Sequence, residues 1–201
     1  QQEAKNLGVL EGNSIVVGNW FGDLKLPLTQ YDTILADYLI GAMDGFSPYQ
    51  QDEMIPKLMK LLKPGGRMYI VGLEPIPDAA DGPGNIICKV RQVRDACILL
   101  SGHRCYREYP LEWVERQISR TPNLSLIQSN KFPILYRYNT IQRQINVGRS
   151  KLSFFTLPSL AMSMKETLDD LDRQTLKLTS NGPIKFGFDY VVAAEKVEDL
   201  D

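Results

Sequence analysis

Two short apolar runs, Thr33 to Ala36 and Arg67 to Val71, lead to carboxylates: Asp37 directly after the first and Glu74 shortly after the second. Continuous aliphatic runs of this length suit strands covered by helices on both faces. In open parallel sheets ligands sit just beyond the carboxyl ends of strands, so Asp37 is the leading candidate for an active-site carboxylate. The alternative is a cap on the chain that follows. The only histidine, His103, lies in Gly-His-Arg-Cys-Tyr-Arg-Glu-Tyr. Its near-neutral pKa would suit a base, although a lone histidine in a polar loop is more often a solvated surface residue. Cys88, Cys97 and Cys105 are odd in number and lack the paired spacing of a zinc site. They suggest free thiols in a reducing compartment, hence a cytoplasmic protein without a metal site, with Cys88 and Cys97 as small core residues.

Several elements must position these groups. Gln1 to Leu7 resembles the tail of a helix closed by Gly8, and Ser14 to Val17 a short strand. The loop Gly18 to Gln30, with Gly18, Gly22 and Pro27, is irregular and lets backbone approach a ligand. Ser47-Pro48-Tyr49-Gln50 fits a helix start, with Pro56 expected to kink or restart the helix. Pro64-Gly65-Gly66 then turns into the second strand. From Gly84, Ile86, Ile87, Val90, Val93, Cys97 and Leu100 recur at helical spacing opposite Lys89, Gln92 and Asp95. A shorter helix spans Pro110 to Ile118 and turns Trp113 and Val114 inward. Leu124 to Ile127 and Phe186 to Ala194 suit an antiparallel pair. Between them a helical insertion at about 132–180 carries the stripe Leu157, Leu160, Met164, Leu168, Leu171 and Leu178.

The 201 residues, 43% hydrophobic and 23% charged, suit one globular domain. No apolar segment approaches the roughly 20 residues a bilayer crossing needs, so no membrane partner is expected. A formal net charge of −1 gives no global attraction to phosphate backbones. The series Arg137, Arg143, Arg149 and Lys151 is therefore taken as a solvated face rather than a nucleic-acid surface.

The run "YDTILADYL", the following helix and "LLKPGGRMYIVG" resemble motifs IV to VI of the class I S-adenosylmethionine-dependent methyltransferases, and "FDYVVAAEK" resembles that family's last strand. The resemblance extends from about Gln1 to Lys196 and is densest between Ser14 and Glu74. It implies an α/β fold with a Rossmann-like, mostly parallel sheet and an antiparallel C-terminal strand pair. It further implies S-adenosyl-L-methionine as cofactor and methyl transfer to a small-molecule acceptor. By the same resemblance Asn19 contacts the adenine amino group, Trp20 the ring through its backbone, and Asp37, Tyr38 and Leu39 line the sulfonium and acceptor side. Asparagine can accept the adenine bond through its side-chain oxygen, or can simply stabilise a turn. The loop holding His103 and Tyr106 is where the family often brings substrate contacts; Tyr106 and Tyr109 line an acceptor pocket or pack.

The family's Gly-rich loop and the acidic end of its second strand are absent from the sequence, which starts at Gln1. The expectation is a methyltransferase domain, 1–201, corresponding to the C-terminal portion and lacking its N-terminal part through truncation, a partial gene model or real loss, and inactive in isolation. Two rivals stand beside the enzyme: a non-catalytic binding or scaffold protein on a degenerate domain, and a nicotinamide-dependent oxidoreductase, which would need a Gly-x-Gly-x-x-Gly turn. Thr156 to Leu178 is expected to form a helix over the carboxyl edge of the sheet, serving the acceptor pocket or a homodimer contact.

Overall fold

The computed structural model describes residues 15–22 and 31–197. The helix expected to end at Gly8, Ser14 and most of the 18–30 loop fall outside them. Four strands form one sheet in the order β1-β2-β4-β3: β1 (Tyr31–Asp37), β2 (Leu62–Leu73), β3 (Leu124–Tyr136) and β4 (Ile184–Lys196). β1 and β2 pair in parallel, joined by α1 (Leu39–Ala42) and α2 (Gln51–Met59). β4 runs antiparallel to both β2 and β3, which supplies the closing pair expected from the sequence. The fold is Rossmann-like α/β.

Side chains alternate across a strand, and the pairs Met68↔Ala194 and Ile70↔Val192 put four buried residues on one face. They meet Met54, Ile55 and Leu58 of α2 and Val114 and Ile118 of α4 (Leu111–Arg120) in a first core. The Lys-Pro-Gly-Gly turn lies inside β2 as an irregularity opposite β1, where the register shifts between Tyr31 and Thr33. Gly65 has φ +72°, and a Cβ on Gly66 would lie 2.9 to 3.2 Å from the carbonyl oxygens of Lys63, Tyr31 and Asp32. Only glycine fits that approach.

A second core gathers α3 (Asn85–Leu100), α5 (Tyr138–Lys151) and α6 (Pro158–Leu178). Ile87, Val90 and Cys97 meet Ile141, Ile145, Leu168 and Leu171 there, with Tyr136 and Ile184 from the sheet. The apolar face of α3 therefore packs largely on helices. Asp95, expected on the polar face, is buried.

Several boundaries differ from expectation. Ile15 to Val17 form no strand and are exposed, because a strand exists only by pairing and no described strand lies alongside them. α2 begins at Gln51 rather than Ser47: Tyr49 sits at φ +69°, off the helical path, and the Ser47 hydroxyl donates to Asn19. Pro56 lies inside α2 without ending it. Residues 132–136 continue β3, so the helical stretch starts at Tyr138. Among the described residues no helix is long and apolar enough to cross a membrane.

Candidate functional site

Beyond the carboxyl end of β2 a cleft of about 940 Å³ opens, within the size range of small-molecule sites. Gly45 and Phe46 reach it from the chain after β1, and Leu73, Pro75 and Ile76 from the end of β2. α3 contributes Arg91, Arg94 and Asp95, while Gln144 and Lys151 come from α5. The α3–α4 connection adds His103, Arg104, Tyr106, Arg107 and Glu108, and Tyr136 ends β3.

Glu108 is the group in this cleft best suited to proton transfer. Burial pushes its carboxyl above the ordinary value, the Arg94 guanidinium pulls the other way, and the Asp189 charge adds to the rise. Its backing is tight: a Cβ on Gly41, in α1, would lie 2.5 Å from Glu108 Oε2. Burial likewise pushes the Tyr136 phenol up to about 12, with the Asp189 and Glu108 charges adding to it. Carboxylates that favour their proton in a cleft are what general acid–base chemistry requires.

His103 has a defined environment. Its Nδ1 lies 2.6 Å from Ser101 Oγ, and that hydroxyl donates its one hydrogen to the Ile98 carbonyl at 2.7 Å. The Ser101 oxygen must therefore accept from Nδ1–H, which leaves Nε2 of the neutral ring as an acceptor. The ring packs edge-on against Phe154, with centroids 5.1 Å apart.

His103 and Tyr106, two of the residues singled out from the sequence, thus meet in the cleft. Asp37 does not line it; it is exposed at the end of β1, opposite Val71. Tyr38, next in the chain, adopts left-handed backbone at φ 48°, an uncommon conformation for a bulky residue. Its N–H donates to the Val71 carbonyl and its hydroxyl to Asp189 Oδ1 at 2.9 Å. Burial, the bond to Asp189 and nearby acidic charges, Glu108 included, hold that phenol protonated. Tyr38 therefore ties the end of β1 to β2 and β4. Leu39 is half-buried against the first core and serves packing.

Asn19 makes bonds within its own chain. Its Oδ1 accepts from the Phe21 N–H at 2.9 Å and the Ser47 hydroxyl at 2.7 Å, and Nδ2 donates to the Phe46 carbonyl at 3.0 Å. Both lone pairs of Oδ1 are used, which corresponds to the turn-stabilising alternative and anchors Phe46 at the cleft rim. The Trp20 carbonyl accepts from the Lys57 ammonium, and its ring packs on the first core. Glu74, the second strand-end carboxylate, accepts from the Leu111 N–H at 3.1 Å and pairs with Lys131 at 2.8 Å, so it caps α4. No α6 residue lines the cleft; Leu168 of that helix packs against Gly148 of α5. The sequence reading missed Glu108, Arg94 and Tyr136. Glu108 was present in the same octapeptide as His103, but only burial distinguishes it from a surface carboxylate.

No family model matches the chain, and no curated protein matches it. Among solved structures it is similar to mycolic acid cyclopropane synthase CmaA1 complexed with SAH and CTAB, at 14% identity, covering 98% of this chain and 67% of that one, with a TM-score of 0.49. It is also similar to the MccD protein, at 13% identity over 97% of this chain and 73% of that one, with a TM-score of 0.49. A third is a phosphoethanolamine N-methyltransferase of Haemonchus contortus in complex with phosphomonomethylethanolamine and S-adenosylhomocysteine. There the identity is 13%, the coverage 87% of this chain and 35% of that one, and the TM-score 0.38. None of the three reaches 25% identity or a TM-score of 0.5, so none fixes what this chain does.

Proposed function

We propose that the chain serves S-adenosylmethionine-dependent methyl transfer to a small-molecule acceptor held in the cleft. The observation that carries this is the coincidence of a motif-bearing strand with the cleft. The second strand of the parallel pair, which contains the Lys-Pro-Gly-Gly turn, opens at its carboxyl end, through Leu73, onto a ligand-sized cavity holding the half-buried carboxyl of Glu108.

Asp37 and the exposed Tyr38 ring suit a donor placed beyond β1, and these two would hold it. Asn19 does not fit the adenine contact, since its acceptor oxygen is filled. When bound, S-adenosylmethionine supplies a methyl carbon already activated by its sulfonium. The chain's own work is to orient the acceptor, keep water out and take up a proton. The walls from α3, α5 and the α3–α4 connection orient, and Glu108 receives the proton of an acceptor that must lose one. The three free thiols, all buried, support a reducing, cytoplasmic setting.

Isothermal titration of S-adenosylhomocysteine tests the reading. Saturable binding is expected, weakened about tenfold or more in Asp37→Ala if a charge-assisted bond is lost. With an identified acceptor, Glu108→Gln should lower turnover by about 10² to 10⁴. The filled acceptor of Asn19 favours a second reading, a non-catalytic binding protein on the same domain. Product binding without turnover on any acceptor class would select it, and absence of binding up to millimolar product would reject both.

A further inference from the structure

The charge of the cleft bears on the acceptor itself. Five cationic side chains, Arg91, Arg94, Arg104, Arg107 and Lys151, line it against the carboxylates Asp95 and Glu108. Asp95 is used internally: Arg94 Nε and Nη2 donate to its Oδ1 at 2.8 and 2.7 Å, and Arg91 Nη1 lies 3.7 Å from Oδ2. Arg91 also pairs with Asp78 at 2.7 Å. Arg104, Arg107 and Lys151 have no ion-pair partner among the described residues; Arg104 lies 5.8 Å from the centroid of the Tyr49 ring and Lys151 5.9 Å from that of Phe154.

Two of these cations come from the α3–α4 connection and the third from the far end of α5, so segments distant in sequence bring like charges to one concavity. Such convergence is unfavourable by itself and becomes favourable when an anion sits among the three. A charged concavity with low-dielectric walls also raises the local concentration of the opposite ion.

We infer that the cleft takes an anionic acceptor, a small organic carboxylate or phosphate ester. Arg104, Arg107 and Lys151 hold its anionic end, and its reacting heteroatom faces Glu108. This rests on the cleft being the acceptor site of the proposed methyl transfer. A small anion is favoured over a nucleic acid because the charges line a concavity in a chain of net charge −1 rather than spread over a basic surface.

The test titrates inorganic phosphate and succinate separately into the intact chain at low salt, followed by calorimetry, with S-adenosylhomocysteine titrated in parallel. Binding of at least one anion is expected, weakened about tenfold or more in Arg104→Gln/Arg107→Gln/Lys151→Gln and by salt, and retained in large part in Arg107→Lys. S-adenosylhomocysteine affinity should not change in the triple variant. Preference between the two probes assigns phosphate or carboxylate. Equal affinity of parent and triple variant for both anions overturns the inference, as does tighter binding of a short RNA than of either. Charge-dependent anion binding with no S-adenosylhomocysteine binding supports the anion site and rejects methyl transfer. The reverse pattern rejects the anion site alone.

Discussion

Gly72 is where one added methyl group should disturb both the sheet and the cleft. It pairs across β2 and β4 with Tyr190, whose ring lies over it: a Cβ at Gly72 would sit 2.3 Å from Tyr190 Cζ and Oη and 2.8 Å from Cε2. Ordinary contact begins near 3.4 Å, so the ring must shift by about 1 Å or more. It has little room, being 1% exposed, and its hydroxyl donates to the Tyr109 carbonyl at 2.8 Å. Overpacking of this kind costs about 1 to 3 kcal/mol and the lost hydrogen bond about 1. The stiffer unfolded chain of Gly→Ala returns roughly 0.4 to 1 kcal/mol. The net expectation for Gly72→Ala is about 1 to 3.5 kcal/mol of destabilisation, or a Tm lowered by roughly 2 to 14 °C for a domain of this size. Urea denaturation followed by circular dichroism measures it, and Tyr190→Leu supplies the control. Because Tyr190→Leu removes the obstructing ring, Gly72→Ala should cost less than about 0.5 kcal/mol in that background. A Gly72→Ala protein within 0.5 kcal/mol of the parent, or strict additivity with Tyr190→Leu, would refute the packing argument.

Glu108 has a folded-state pKa raised above the ordinary 4.5, so the folded chain keeps a proton that the unfolded chain has released. Its contribution to stability is present below the unfolded pKa and lost as pH rises through the folded one. Glu108→Gln should abolish that decline and be more stable than the parent above the window, checked by urea midpoints across pH; a variant no more stable at any pH contradicts the burial argument. Asn19→Ala removes three hydrogen bonds at the rim and should cost about 1 to 3 kcal/mol while leaving S-adenosylhomocysteine affinity unchanged; weakened affinity with unchanged stability would restore the adenine contact. Cys88, Cys97 and Cys105 are buried, and burial pushes each thiol up. Ellman's reagent at pH 8 should therefore label none of them quickly in the folded protein and all three in urea; fast labelling of one in the native state would contradict its burial.

The strands and most helices were legible because their signals are local. Period and chain punctuation mark β1, α3, α4 and the antiparallel pair directly; Pro64-Gly65-Gly66, expected as the turn into the second strand, lies inside β2, where Gly66 permits a close backbone approach. Where expectation failed, a long-range partner had overridden a local pattern. Ser47 has the chemistry of a helix cap, yet its hydroxyl goes to Asn19, 28 residues away in sequence. Asp95 falls on the polar side of a helical wheel, yet Arg94, which pairs with it, is itself bonded to Gln144 of α5, 50 residues away, and Asp95 is buried. Glu74 ends a strand as Asp37 does, yet the N-terminus of α4 and Lys131 claim it. In the candidate site, neither strand-end carboxylate, Asp37 nor Glu74, lines the cleft, whereas His103 and Tyr106 of the polar octapeptide do. The carboxyl suited to proton transfer could not be chosen from sequence, because Glu108 and an exposed glutamate differ only in what surrounds them.

That wall is a connection between helices, and loops are usually too mobile to hold a reacting group within the fraction of an ångström that transfer demands. This one is tied at successive points. Ser101 holds His103, the Cys105 thiol donates to the Asp95 carbonyl at 3.5 Å, Gly41 backs Glu108, and Tyr109 offers its carbonyl to Tyr190. Its anchors belong to α3, α1 and β4, each rooted in one of the two cores. The residues between them, Arg104, Tyr106 and Arg107, are exposed, and among the described residues their side chains have no hydrogen-bond or ion-pair partner. Glu108 thus packs against α1, whereas the side chains of Arg104, Tyr106 and Arg107 face solvent. This division suits a site in which proton transfer depends on orientation and acceptor binding tolerates rotamer changes.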